Sequence, residues 1–137
     1  NLVLVTSSVS GEGKTFVSTN LSMIFASTRK KVLLIGADIR NPKISAFFDN
    51  KNVAALSKKS PKDKHGLSEY LFDDSILIKD LIQPMLVYNN TIDVIYSGKI
   101  LPNPSELLTG NRFKELLSEV SIQYDYVVID SAPLMLA

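Results

Sequence analysis

The stretch NLVLVTSSVSGEGKTF, Asn1 to Phe16, decides the fold. Leu2-Val3-Leu4-Val5 is a continuous apolar run rich in β-branched residues, the pattern of a strand buried on both faces. It runs straight into Ser7-Ser8-Val9-Ser10-Gly11-Glu12-Gly13-Lys14-Thr15, whose Gly-Lys-Thr close is that of a phosphate-binding loop ahead of a helix. Gly11 and Gly13 let the backbone turn so that its amides converge on phosphate oxygens. Lys14 brings an ammonium to the β- and γ-phosphates, Thr15 offers a hydroxyl to Mg²⁺, and the helix N-terminus adds its positive end. The candidate nucleotide contacts are therefore Ser10, Gly11, Glu12, Gly13, Lys14, Thr15 and Phe16, with ATP or ADP and Mg²⁺ as the cofactors. One position departs from the general G-x-x-x-x-G-K-[ST] pattern: its first glycine is Ser8 here.

Working outward, Phe16 to Ser27 spaces Phe16, Val17, Leu21, Ile24 and Phe25 as a helix does, and Thr28-Arg29-Lys30-Lys31 is expected to place cations in its last turn. Val32-Leu33-Leu34-Ile35 is a second buried strand, which completes a βαβ unit with a right-handed crossover. Gly36-Ala37-Asp38-Ile39-Arg40-Asn41-Pro42 follows at the carboxyl end of that strand, where open parallel sheets bind ligands. A short helical piece is expected from Lys43 to Phe48, and a solvated, lysine-rich loop from Asp49 to His65. Short helices are expected over Gly66–Phe72 and Ile76–Leu81, and a third strand from Ile92 to Gly98. Pro102-Asn103-Pro104 turns the chain into a helix, and Arg112 to Val120 forms an amphipathic one. Tyr124 to Asp130 is a fourth buried strand, ending in Asp130-Ser131-Ala132-Pro133.

Bulk properties narrow the classes. The 137 residues suffice for one domain, residues 1–137, with a real core. Hydrophobic residues make up 45% and charged residues 21%, ordinary for a globular chain, and a net charge of +1 gives no electrostatic reason for a nucleic-acid partner. Without cysteine there is no disulfide and no Cys-ligated zinc. His65, the single histidine, has no second ligand nearby in sequence. The chain opens inside one buried strand and closes just after another, so a domain truncated at both ends is expected.

Three loops thus gather at the carboxyl ends of parallel strands. An aspartate after an aliphatic run is the second element of an NTPase site, holding Mg²⁺ directly or through water, and Asp130 fills that role. Asp38 comes off a neighbouring strand with reach to the same metal or the γ-phosphate; Arg40 either contacts phosphate or a subunit, or pairs with Asp38. Lys14, Asp38, Asp130 and Arg40 are the catalytic candidates, and Thr15, Asp38 and Asp130 the metal candidates. Nothing in the chain identifies a phosphoryl acceptor.

The combination resembles the bacterial tyrosine kinases of capsule and exopolysaccharide assembly, the cytoplasmic domains of Wzc-type polysaccharide co-polymerases and their CapB/CpsD-type relatives. Their phosphate loop resembles T-S-S-x-P-G-E-G-K-[ST], matched by Thr6 to Thr15 with Ser10 in place of proline, so Ser8 is what that family shows. An aliphatic run plus D-x-D-x-R is matched by Ile35 to Arg40, except that Gly36 replaces the first aspartate; a run plus D-x-x-P is matched by Val127 to Pro133. Gly66-Leu67-Ser68 with Leu71, and Ser97-Gly98 through Pro102-Asn103-Pro104-Ser105-Glu106-Leu107-Leu108, resemble further family segments.

The resemblance implies a P-loop NTPase fold, α/β, with a mostly parallel sheet flanked by helices on both faces. It implies ATP-dependent tyrosine (auto)phosphorylation at the cytoplasmic face of the inner membrane, controlling polysaccharide assembly and export. The implied partners are the protein's own subunits in a ring-like homo-oligomer and a membrane-embedded co-polymerase segment or adaptor. Two alternatives stay open. One is a nucleotide-binding regulatory module weakened by Gly36, since a glycine side chain neither binds metal nor accepts a proton. The other is a ParA/MinD-like ATPase, which fits Pro104 to Leu108 poorly. The five tyrosines, Tyr70, Tyr88, Tyr96, Tyr124 and Tyr126, are scattered through the fold and read as structural.

Overall fold

The computed structural model describes residues 2–5, 12–37, 53–55, 65–87, 89–99 and 108–131. In chain order these form β1 (Leu2–Val5), α1 (Glu12–Ser27), β2 (Val32–Gly36), β3 (Val53–Ala55), α2 (Leu67–Phe72), a single 3₁₀ turn (Ile78–Asp80), β4 (Gln83–Val87), β5 (Asn90–Ile95), α3 (Asn111–Gln123) and β6 (Tyr126–Asp130). One sheet takes the strands in the order β1-β6-β2-β5-β4-β3. The first four are parallel, while β4 runs antiparallel to β5, and β3 antiparallel to β4. The βαβ crossover from β1 to β2 therefore passes over β6, which is inserted between them.

Period-2 alternation sorts the side chains onto two layers. Leu33, Ile35, Val127 and Ile129 point to one face, where Leu67, Tyr70 and Leu71 of α2 and Phe113, Leu116 and Val120 of α3 bury them. Val32, Leu34 and Val128 point to the other, against Met23, Phe25 and Ala26 of α1. The ring of Phe25 stacks on Tyr126 at 4.0 Å and ties α1 to β6. Every residue of β2 is buried, as expected of a central strand with helices on both sides. The expected architecture is thus present, with the sheet four strands parallel and two antiparallel.

Several expectations are corrected. The loop expected over Asp49–His65 contains β3, and β4 lies in a stretch for which no element is expected. Pro84 lies opposite Asp93 in the β4–β5 ladder, and the β3 ladder pairs only Val87, Leu86 and Met85. Ile76–Leu81 forms only the one 3₁₀ turn, capped where Asp80 Oδ2 accepts the Leu77 amide at 3.1 Å. The third strand starts earlier and stops sooner than expected, at Asn90–Ile95, and the fourth starts at Tyr126. α1 begins four residues before Phe16. Its last turn holds no cation: Arg29, at φ 63, ends the helix in a left-handed turn, and the basic residues lie beyond it. The helices expected at Lys43–Phe48 and after Pro104 lie outside the described residues.

Lys31 joins the amino ends of β2 and β6. Its amide donates to Asp125 Oδ2 at 2.7 Å and its carbonyl accepts from Asp125 at 2.8 Å, while its ammonium lies 4.9 Å from the Tyr124 ring centre. Tyr124 is buried and donates to Asp93; burial first, and that carboxylate second, push its phenol well above the usual range. Tyr70 and Tyr96 are buried too, so the structural reading of these three tyrosines stands; Tyr88 lies outside the described residues.

Candidate functional site

The order β1-β6-β2 sets the carboxyl ends of the phosphate-loop strand, the Asp130 strand and the Gly36 strand side by side. Register makes this closer. Asp130 is the ladder partner of Val5 on one side and of Gly36 on the other. Asp130 follows Val128, and Gly36 follows Leu34, by two residues, so both positions belong to the face that α1 covers. The opening turn of α1 contains the backbone of Glu12, Gly13, Lys14 and Thr15, with Phe16 next. Helix-start amides have no intrahelical acceptor and favour anions, which is what a phosphate-binding loop requires.

Asp130 is 1% exposed, a carboxylate carried into the protein at the end of a strand of valines and isoleucine. Ionised carboxylates are rarely buried without a specific electrostatic partner. A buried carboxylate oxygen of this kind fits Mg²⁺, which keeps several waters and takes one or two carboxylates plus phosphate oxygens. Among the described residues no group of three or more His, Cys, Asp or Glu forms a self-contained metal cage, so a metal would lean on the nucleotide for the rest of its shell. Gly36 brings only backbone to the position beside Asp130.

Of the residues singled out from sequence, the sheet sets Asp130 in register with Val5 and Gly36. Ser10, Gly11, Asp38 and Arg40 lie outside the described residues, and for Glu12 to Phe16 only the helical backbone is described.

A second group at the same sheet edge was not found from sequence. The amides of Leu67 and Ser68, which open α2, donate to the carbonyls of Tyr96 (2.7 Å) and Ser97 (2.9 Å), just past β5. The Glu69 carboxylate then closes the junction. It accepts from the amides of Gly66 and Lys99, each at 2.9 Å, and from the Ser68 hydroxyl. Burial works to raise its pKa, but those donors, together with its own backbone amide, outweigh it and hold the carboxyl below the ordinary glutamate range. At the other end of α2, Arg112 stacks on Tyr70 at 3.8 Å and donates to the carbonyls of Tyr70 (2.9 Å), Asp73 (3.1 Å) and Ile76 (3.1 Å). The available signal was the pair Gly66-Leu67-Ser68 and Ser97-Gly98, which proves to be a single contact: Gly66 and Gly98 meet backbone to backbone.

Comparison with known proteins follows this geometry. The sequence model of the AAA_31 family, described as an AAA domain, matches residues 2–136. The chain is 35% identical over 136 residues to "Tyrosine-protein kinase YwqD" of Bacillus subtilis (strain 168), covering 97% of this chain and 50% of that protein. Among solved structures, the kinase domain of Escherichia coli tyrosine kinase ETK superposes with a TM-score of 0.80 at 34% identity, covering 100% of this chain and 48% of that one. The septum site-determining protein MinD from Pyrococcus horikoshii OT3, complexed with Mg-ADP, shares the fold at a TM-score of 0.71 and 20% identity, covering 98% of this chain and 50% of its own. This chain spans about half the length of these relatives.

Proposed function

This chain belongs to the AAA_31 family of AAA domains, and from that premise and its similarity to bacterial tyrosine-protein kinases we propose that it binds Mg²⁺-ATP and serves protein-tyrosine (auto)phosphorylation. The observation that carries the reading is Asp130: a buried carboxylate between the phosphate-loop strand and β2, on the side of the sheet where α1 begins. The α1 amides and Lys14 would hold the β- and γ-phosphates, and Thr15, Asp130 and Asp38 would hold the metal, with Arg40 a further phosphate or subunit contact. Mg²⁺, when bound, neutralises phosphate charge. What the chain itself contributes is position, because phosphoryl transfer asks the protein chiefly for alignment and electrostatics.

The proposed setting follows the resemblance: the cytoplasmic face of the inner membrane, in a ring-like homo-oligomer, working with a membrane-embedded co-polymerase segment or adaptor in capsule or exopolysaccharide export. Among the described residues no helix is long and apolar enough to cross a membrane. No nucleic-acid partner is proposed.

Gly36 favours a second reading. A side chain at that position would lie on the same face as Asp130, in the adjacent strand and in register with it. An acid there would stand beside Asp130 and could take a proton; glycine cannot. Losing a positioned base costs typically ~10²–10⁴ in rate while leaving binding intact, which describes a nucleotide-binding regulator built on a slowed kinase.

The test uses the full-length protein with Mg²⁺-ATP and phosphotyrosine mapping by mass spectrometry. Lys14→Ala is expected to weaken nucleotide binding on the order of 10²-fold, the worth of one or two charged hydrogen bonds; unchanged affinity in calorimetry would sink the site. Phosphotyrosine in the native protein that Lys14→Ala abolishes supports the kinase. None in the native protein, with gain in Gly36→Asp, supports the regulator.

A further inference from the structure

The pairing of β2 with β5 ends at Ile35 and Ile95, while its pairing with β6 runs one residue further, to Gly36 and Asp130. The Gly36 carbonyl therefore emerges where the β5 ladder has stopped. Ser97, two residues past β5 and 3% exposed, supplies the missing donor: its hydroxyl donates to that carbonyl at 2.8 Å. On the opposite edge of the same peptide group, the Ala37 amide donates to the Asp130 carbonyl at 2.8 Å. A planar trans peptide holds its C=O and N–H antiparallel. One rigid plate is thus gripped at one edge by Ser97 and at the other by Asp130. Bonds in such a chain polarise one another. Residue 36 carries no side chain to restrain the plate by packing, so its orientation depends more on these two bonds than it would with a bulkier residue.

We propose that Ser97 is a positioning residue for Asp130, setting the backbone of the buried carboxylate through the Gly36–Ala37 peptide. This rests on the reading of Asp130 as a metal-binding carboxylate. Ser97 is equipped for the task because its own loop is fixed. Its carbonyl is held by the Ser68 amide, the neighbouring Tyr96 carbonyl by the Leu67 amide, and the Lys99 amide by Glu69. A continuous run of hydrogen bonds therefore joins α2 to the strand that ends in Asp130. Misplacing a reacting group by as little as about 1 Å can cost on the order of 10²-fold in rate, so a modest tilt of this plate is enough to matter.

The test compares Ser97→Ala, Ser97→Cys and Ser97→Thr in the full-length protein. The cysteine keeps approximate size with a weak donor, and the threonine keeps the hydroxyl. Two quantities are read: amide exchange at Ala37, and the factor by which Mg²⁺ tightens ATP binding. Ser97→Ala and Ser97→Cys are expected to speed exchange at Ala37 about tenfold and to shrink the Mg²⁺ factor at least about threefold. Metal-free ATP affinity should hold, and Ser97→Thr should restore both readouts. Unchanged exchange overturns the proposal, as does faster exchange with an unaltered Mg²⁺ factor, which would make Ser97 merely structural. Asp130→Asn run alongside separates the two layers: if it leaves the Mg²⁺ factor intact, the metal reading itself falls and takes the proposal with it.

Discussion

Gly36 ends β2 in extended backbone, inside a ladder with Asp130, whereas Gly98 lies three residues past β5 at φ +81 with Glu69 and Ser68 around it. Both are glycines at the carboxyl edge of neighbouring parallel strands, yet their reasons differ. A side chain at Gly98 would be strained by its backbone and would come within 2.5 Å of Glu69 Oε2 and Ser68 Oγ. Its partner Gly66 is as constrained, since a Cβ there would come within 2.4 Å of the Gly98 backbone. Gly36 has an ordinary strand conformation that any residue adopts, so its backbone does not demand glycine. At Gly66 and Gly98 glycine answers a steric need; at Gly36 it leaves the position beside Asp130 without a side chain.

Three measurements would break or sharpen that contrast. The largest effect is expected at the junction: Gly66→Ala and Gly98→Ala should each cost about 2–4 kcal/mol, from a steric collision at the first and from collision plus left-handed strain at the second. Urea unfolding reads this, and a cost under about 1 kcal/mol would show the contact to be loose. Next comes Glu69, whose carboxyl is held below the ordinary glutamate range by its hydrogen-bond donors against the effect of burial. A carboxyl depressed in the folded state contributes stability that is whole above the unfolded value and is lost as pH falls through the folded one. The native protein should therefore shed stability below about pH 5 more steeply than Glu69→Gln, whose unfolding midpoint should vary less with pH across that window. Parallel curves would show that the carboxylate contributes no net charge-dependent stability. The smallest effect is expected for Gly36→Ala: a change within about 1 kcal/mol of native stability, since the backbone needs no glycine there.

The contrast also marks the limit of reading the sequence. The strands β1, β2 and β6 and the helices α1 and α3 are legible because unbroken aliphatic runs and helical spacing have few other solutions. β3 and β4 are not. Val53-Ala54-Ala55 is too short to stand out, and Pro84 argues against a strand until its pairing with Asp93 is seen. Gly-Lys-Thr and the aspartate after Val127-Val128-Ile129 announce a nucleotide site from local pattern alone. The roles of Glu69, Ser97 and Arg112 are not legible locally, because each acts on backbone groups 30 or more residues away: Glu69 on Lys99, Ser97 on Gly36, Arg112 on Tyr70, Asp73 and Ile76.

What the sequence determines by itself is the chemistry on offer: a Gly-Lys-Thr turn before a helix, an acid at the end of a buried strand, and a glycine at the end of the neighbouring one. These follow from residue type and short-range spacing, which act through a few bonds of the chain. What only the tertiary structure decides is adjacency. Insertion of β6 between β1 and β2, the register that sets Asp130 opposite both Val5 and Gly36, and the peptide held between Ser97 and Asp130 all depend on which strands neighbour one another. That choice is made by burying both faces of β2 and β6 at once, a requirement on the whole sheet that no single stretch of residues carries.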